Sequence, residues 1–279
     1  MIKQKGSILI LVLWVLIILS FLSIAISYRA SGDIKLAKYE SENIKALYLA
    51  RACIAKMLVE LNKDRNNYDS LNEDWNRERE FRLGGGKVAY RAYDEAARFN
   101  INSSNLNKKQ LIRSGPNDDL CLRILDYRIT KGEKGFEFME ELFLVDGMTR
   151  DIYTRIKDYI TIYRGADPRI NINTADEDVL RLALGDDLIV SKIIEFRKGD
   201  DARIGTVDDG VFSEDHFRVI FENFGVAPEA IVNYRPLFSV RSDFFRISLD
   251  VSFSEGKTRT RHFASVLDRS GKIYYWRED

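Results

Sequence analysis

Histidine and cysteine are scarce: two of each in 279 residues. His216 and His262 lie far apart with no neighbour at metal-ligand spacing, so zinc-type sites and histidine-based catalysis have nothing to stand on. Cys53 sits in an alanine-rich helical stretch and reads as a small buried hydrophobe; a pairing with Cys121 is left open. Net charge is absent too, with 43 basic and 43 acidic residues, which removes the electrostatic reason to expect a polyanionic partner. Gly84-Gly85-Gly86 lacks the lysine and hydroxyl residue of a phosphate loop, so nucleotide binding is not expected. With no nucleophile-base pair visible, the chain does not read as an enzyme.

A long apolar run is present. Residues 7–26 are Leu, Ile, Val, Phe and Trp broken only by serine and one alanine, enough to cross a bilayer as a helix. The run is longer than the roughly 7 to 15 residues of a secretory signal core. It therefore reads as an uncut anchor, or as an anchor kept after a cut between Gly6 and Ser7 removes a short basic leader. Lys3 and Lys5 before it are matched by Arg29, Lys35 and Lys38 after it, so charge does not settle orientation.

Residues 33–61 contain no proline and no glycine. Ile44, Leu47, Tyr48, Ala50, Ile54, Met57, Leu58 and Leu61 recur at intervals of three and four, an amphipathic stripe. Joined to the apolar run this predicts a rod of roughly 80 Å, with a weak point at Ser31-Gly32. Residues 62–86 read as a connection holding at most a short helix. A strand is expected over 87–93, and three antiparallel strands over 244–253, 258–266 and 272–278, with turns at 254–257 and 268–271. The sheet these strands form is the natural cover for the stripe.

The intervening stretch repeats itself. Arg98-Phe99-Asn100-Ile101-Asn102 is echoed by Arg169-Ile170-Asn171-Ile172-Asn173, and Ile124-Leu125-Asp126-Tyr127-Arg128 by Ile193-Ile194-Glu195-Phe196-Arg197. Each copy leads into a Phe-centred helix, 138–144 and 212–221, which predicts a compact helical insert built by duplication. Asn173 or Thr174 is expected to cap a helix from Ala175, with Asp176, Glu177 and Asp178 in its positive first turn. Leu144-Val145-Asp146-Gly147-Met148-Thr149, before a second helix through Ile152 and Ile156, looks like a helix-hairpin-helix. Its turn holds one glycine, Asp146 would repel a phosphate, and the insert has more acidic than basic residues, all of which oppose nucleic-acid binding. Asp200, Asp201, Asp208 and Asp209 crowd a glycine-bent loop, which suits either a solvated acidic surface or a hard cation such as calcium.

The Lys5-Gly6-Ser7 site resembles a type IV prepilin leader. Leu11 stands where most pilins carry a glutamate at the fifth mature position. Together with Ile170-Asn171-Ile172-Asn173-Thr174-Ala175, the Gly147-Met148-Thr149 turn, residues 238–246 and Tyr275-Trp276-Arg277-Glu278, these features are similar to the general secretion pathway protein K family over nearly the whole chain. That resemblance implies an α+β, pilin-like fold: a long N-terminal transmembrane helix on a small antiparallel sheet, with a large inserted domain of sterile-alpha-motif-like helical repeats. It implies a leader at 1–6, a membrane helix at 7–28, a pilin-like core at 29–97, an insert at 98–235 and a C-terminal sheet at 236–279.

By function, the resemblance implies a minor pseudopilin of the type II secretion system. Such a subunit is cut and methylated by prepilin peptidase, anchored in the inner membrane with a periplasmic head, and joined with other minor pseudopilins at the pseudopilus tip above the major pseudopilin, without nucleic acid. It also implies that the head can bind calcium. The alternative is a single-pass membrane protein whose periplasmic helix-hairpin-helix head binds DNA or peptide.

Overall fold

The computed structural model describes residues 5–63, 65–104, 106, 108–163, 168–253 and 260–278. Two compact units divide the chain, Met1–Arg51 and Ala52–Asp279. Helix α1, Lys5–Lys63, runs through the first unit into the second and is unbroken at Ser31-Gly32. The absence of proline, together with leucine and alanine among the residues that follow the apolar run, favours that continuity.

After a 3-10 turn at Asp74–Asn76 come β1, Arg79–Leu83, β2, Gly86–Asp94, and β3, Phe99–Asn100. Helices α2, Lys108–Arg113, and α3, Asp118–Thr130, precede a 3-10 stretch at Met139–Leu144, then α4, Arg150–Ile156, and β4, Ile160–Thr161. The second half of the insert holds β5, Ile170–Asn171, α5, Glu177–Leu184, α6, Asp187–Lys198, α7, Phe217–Asn223, and α8, Pro228–Tyr234. The chain ends in β6, Phe238–Ser239, β7, Phe244–Phe253, β8, Arg261–Asp268, and β9, Ile273–Glu278.

One antiparallel sheet, ordered β1-β2-β7-β8-β9, organises the second unit. Period-two alternation sends Val88, Tyr90 and Ala92 of β2 and Phe245, Ile247, Leu249 and Val251 of β7 to the buried face. The last turns of α1 pack there. Cys53, Met57 and Leu61 are buried, Lys56 Nζ donates to the Tyr90 hydroxyl at 2.6 Å, and Leu58 abuts Gly271 in the β8–β9 turn. Gly271 has φ +89°, the left-handed turn conformation that glycine adopts without strain.

Several expectations are corrected. The sheet has five strands, not four, because 79–83 pairs with β2 through a Gly84-Gly85 turn. Three charges in Arg79-Glu80-Phe81-Arg82-Leu83 hide that strand, and charge is tolerated there because the strand lies at an edge. The return strand runs Arg261–Asp268, later than 258–266, and the turn expected at 254–257 lies outside the described residues. The insert is not purely helical: β3 pairs with β4, and β5 with β6, in short parallel ladders. Phe212 precedes its helix, which begins at Phe217. Helix α5 starts at Glu177 after Asp176, so neither Asn173 nor Thr174 caps it; both are buried in other hydrogen bonds.

Candidate functional site

Three places in the molecule carry the residues singled out in the sequence. In the first unit, α1 exposes its whole apolar run: residues such as Leu9, Trp14, Phe21 and Ile26 are each 60% or more exposed. Among the described residues this is the one helix long and apolar enough to cross a membrane. Ser20 Oγ donates to the Leu16 carbonyl at 2.8 Å, which satisfies the hydroxyl within the helix without water. Leu11 lies in the run and is 64% exposed. Gly6 and Ser7 fall in the first turns of α1. The rest of the expected leader, residues 1–4, lies outside the described residues.

The insert is a duplicated module, and the echoed asparagines explain why. Asn102 takes the Phe136 N–H on Oδ1 at 2.7 Å and donates from Nδ2 to the Phe136 carbonyl at 2.9 Å. Asn173 does the same with Phe212, at 2.8 and 2.9 Å. Asn100 and Asn171 each accept the amide of the second asparagine in their copy, at 2.9 and 3.0 Å. Arg128 donates to the Ser103 carbonyl, and Arg197 to that of Ala175. Burial lowers the Arg197 pKa to about 10, so it remains a cation at neutral pH. Tyr127 meets Phe136 with ring centroids 5.1 Å apart, and Phe196 meets Phe212 at 5.0 Å.

Both copies close with a hairpin. In the first, Gly147 at φ +88° turns the chain and Thr149 Oγ1 caps α4 by accepting from Ile152 N at 3.3 Å. In the second, Gly225 at φ +76° turns it into α8, with Pro228 at the first helical position. The second hairpin escapes the sequence because its glycine stands beside aromatic and apolar neighbours. Arg123 ties the first turn through Asp119 at 2.9 Å and Asp146 at 3.6 Å. Asp146 and Glu229 place carboxylates at the tips, which is poor chemistry for a phosphate.

The acidic loop is committed to its own backbone. Asp208 accepts from Asp201 N at 2.9 Å, while Asp209 accepts from Gly205 N at 2.7 Å and Thr206 N at 3.2 Å. The Asp201 N–H holds the Asp208 carboxyl below its ordinary range, helped by the Thr206 hydroxyl. Asp201 in turn accepts from Arg203 N at 2.8 Å. Among the described residues no three His, Cys, Asp or Glu side chains are grouped to hold a metal ion. Asp200, Asp201, Asp208 and Asp209 thus share one loop, in which Asp201, Asp208 and Asp209 order the turn through backbone N–H groups.

The remaining titratable candidates are structural. Cys53 and Cys121 are both free and buried, and burial pushes their thiols up to about 12 and about 11, which leaves them unreactive. His262 pairs across strands with Asp250 at 2.6 Å, and His216 bonds Ser213 at 2.9 Å.

A polar joint was not legible in the sequence. Asp94 Oδ2, at the end of β2, accepts from Asn171 Nδ2 at 2.9 Å and from the Thr174 and Ser242 hydroxyls, while Oδ1 accepts from Ala96 N at 2.7 Å. Asp69 accepts from Ser242 N at 2.7 Å and from the Arg269 guanidinium. Arg269 also donates to the carbonyls of Leu61, at 3.1 Å, and Ser242, at 2.9 Å. The end of α1, the sheet and the second repeat thus meet in one buried network. Burial raises Asp94 to about 6, against the pull of the Ser242 and Thr174 hydroxyls, and raises Asp69 despite Arg269.

No protein-family model matches the chain, and no curated protein matches it in sequence. Its fold does match one chain in the crystal structure of the GspK-GspI-GspJ complex from the type 2 secretion system of enterotoxigenic Escherichia coli. The TM-score is 0.64 at 17% identity, over 87% of this chain and 99% of the other. A likeness over that share of the chain identifies the architecture as a GspK-like pilin fold.

Proposed function

We propose that this chain is a minor pseudopilin of a type II protein secretion system. On this reading prepilin peptidase cuts between Gly6 and Ser7. The apolar run then holds the subunit in the inner membrane with its head in the periplasm, until helix packing draws it into the tip of a pseudopilus alongside other minor pseudopilins and above the major pseudopilin. The work is mechanical, not catalytic: the head caps the filament and the early tip complex starts its assembly. The observation that carries the reading is the conjunction in one chain of a fully exposed apolar helix segment with the fold of a GspK-GspI-GspJ complex subunit. Leu11 supports a terminal position. A carboxylate in the membrane needs a partner close by, and the topmost subunit has none above it.

The paired hairpins would suit a rival reading, a membrane-tethered head that binds DNA or peptide. Mass spectrometry of the chain purified from its native membrane separates the two. A mature N-terminus at Ser7, carrying a methyl group, is the expected result, whereas an intact Met1 would select the rival.

A further inference from the structure

One continuous apolar cluster fills both repeats of the insert, from Phe99 to Val240. Among the described residues the sheet's own buried side chains, such as Tyr90, Ala92, Phe245 and Ile247, are no part of it. The two cores meet across a polar seam, to which Tyr163 and Phe244 add an aromatic contact at 5.9 Å. The chain crosses from sheet to insert at 95–98 and returns at 240–243. A hydrogen-bonded interface trades its partners for water at far lower net cost than an apolar one exposes its core.

Two consecutive carboxylates at the end of β2 fasten that seam, and each holds a different repeat. Glu95 accepts from the Thr161 hydroxyl of the first repeat at 2.6 Å and is paired with Arg246 of β7 at 2.6 Å. Asp94 accepts from Asn171 and Thr174 of the second repeat, from Ser242 in the returning link and from Ala96 N. Both side chains are buried, but among the described residues no cation is paired with Asp94. The charged groups on the elements around it are Asp69 from the link after α1, Arg269 from the β8–β9 turn, Arg241 and Asp243 from the returning link, and Glu95 with Arg98 and Arg246 beside it. Arg269 is taken up by Asp69, and Asp69 bears on Asp94 as a like charge.

We propose that the insert is hinged on the sheet at 95–98 and 240–243 and that Asp94 is its latch, closed while the carboxyl carries a proton and opened transiently once it is ionised. The protonated carboxyl donates to the Ser242 or Thr174 hydroxyl, each of which turns from donor to acceptor. Ionised, it keeps its donors but lies away from water with no cation against it, and opening hydrates it. Burial raises its pKa from 3.8 to about 6, so the closed form binds the proton more tightly than the open one. The open population then grows with pH between those two values and levels off above the upper one. Such a latch works the same way in any assembly the chain joins.

The test is hydrogen exchange on the full-length chain in detergent micelles, with rates corrected for their intrinsic dependence on pH. Three amides report the seam: Asp69 N, bonded to the Val240 carbonyl at 2.8 Å, Ser242 N, bonded to Asp69 Oδ2 at 2.7 Å, and Ala96 N, bonded to Asp94 at 2.7 Å. Their protection should fall together by roughly tenfold from pH 5 to pH 7. At pH 7 they should exchange at least about tenfold faster than the amides of 189–194 and 246–251, which open only with the whole fold. Asp94→Asn should remove the pH dependence that the seam has beyond the rest of the chain. Thr174→Val takes away one donor to the carboxylate and should move the pH at which protection levels off upward from about 6, which keeps the test intact if Asp94→Asn fails to fold. Protection at the three amides that is constant from pH 5 to 7, equal to that of 246–251, or unmoved in its pH profile by Thr174→Val would overturn the proposal.

Discussion

Asp94, a residue not picked out from sequence, contributes to the molecule's pH response because burial raises its pKa despite the donors that hold it in place. The folded chain binds its proton more tightly than the unfolded one, with a pKa of about 6 against an ordinary 3.8. Stability from this group is therefore complete below about pH 4 and fades as pH rises through about 6, by up to roughly 3 kcal/mol. Asp69 shifts in the same direction. Asp208 shifts the other way, so its contribution is lost as pH falls below the ordinary carboxylate range. The full-length chain should melt highest near about pH 5 and several degrees lower at pH 7. Asp94→Asn should flatten that slope, and a melting temperature that climbs steadily from pH 5 to 7 would contradict the assignment. Nothing local in sequence announces such a residue, since its four donors come from positions as distant as Ser242. The opposite case is Cys53, whose alanine-rich helical surroundings already mark it as buried.

At the scale of elements, periodicity was the most informative signal. It placed β7 at its observed bounds and the long helix to within two residues of its end, because one buried face imposes a strict repeat on each. It failed at β1, where an edge strand tolerates charge; the capping rule failed at the start of α5, where Asn173 and Thr174 serve the joint and the repeat instead of a cap. The duplication was visible in paired asparagines without their purpose being visible. Each one closes a ring with the backbone of a phenylalanine more than thirty residues away. Asn102→Ala and Asn173→Ala should each strand a buried N–H and a buried carbonyl, at a cost of about 2–5 kcal/mol. Urea unfolding followed in detergent should show losses of similar size in the two variants. A near-neutral result at either position would mean that the copy concerned is not held by this ring.

For the whole molecule, two features compete to explain why such a subunit would sit at a filament's end: the missing carboxylate at Leu11 and the size of the second unit. Magnitudes separate them. Even at the bilayer centre an ionisable side chain costs only about 2.5–3.5 kcal/mol, and Leu11 lies near the end of the run, while the surrounding apolar residues each return about 0.3–0.6 kcal/mol, so a Leu11→Glu chain still inserts. The second unit, roughly 230 residues, has an expected radius of gyration of about 17 Å, against a helix only about 10 Å across. No single side chain in the membrane offsets that crowding along a shaft of packed helices. Leu11→Glu should therefore remain confined to one end when pseudopili are labelled with antibody against the head, as the parent chain is expected to be. Label spread along the shaft by this one substitution would show instead that the absent carboxylate, and not the bulk of the head, keeps the chain at the tip.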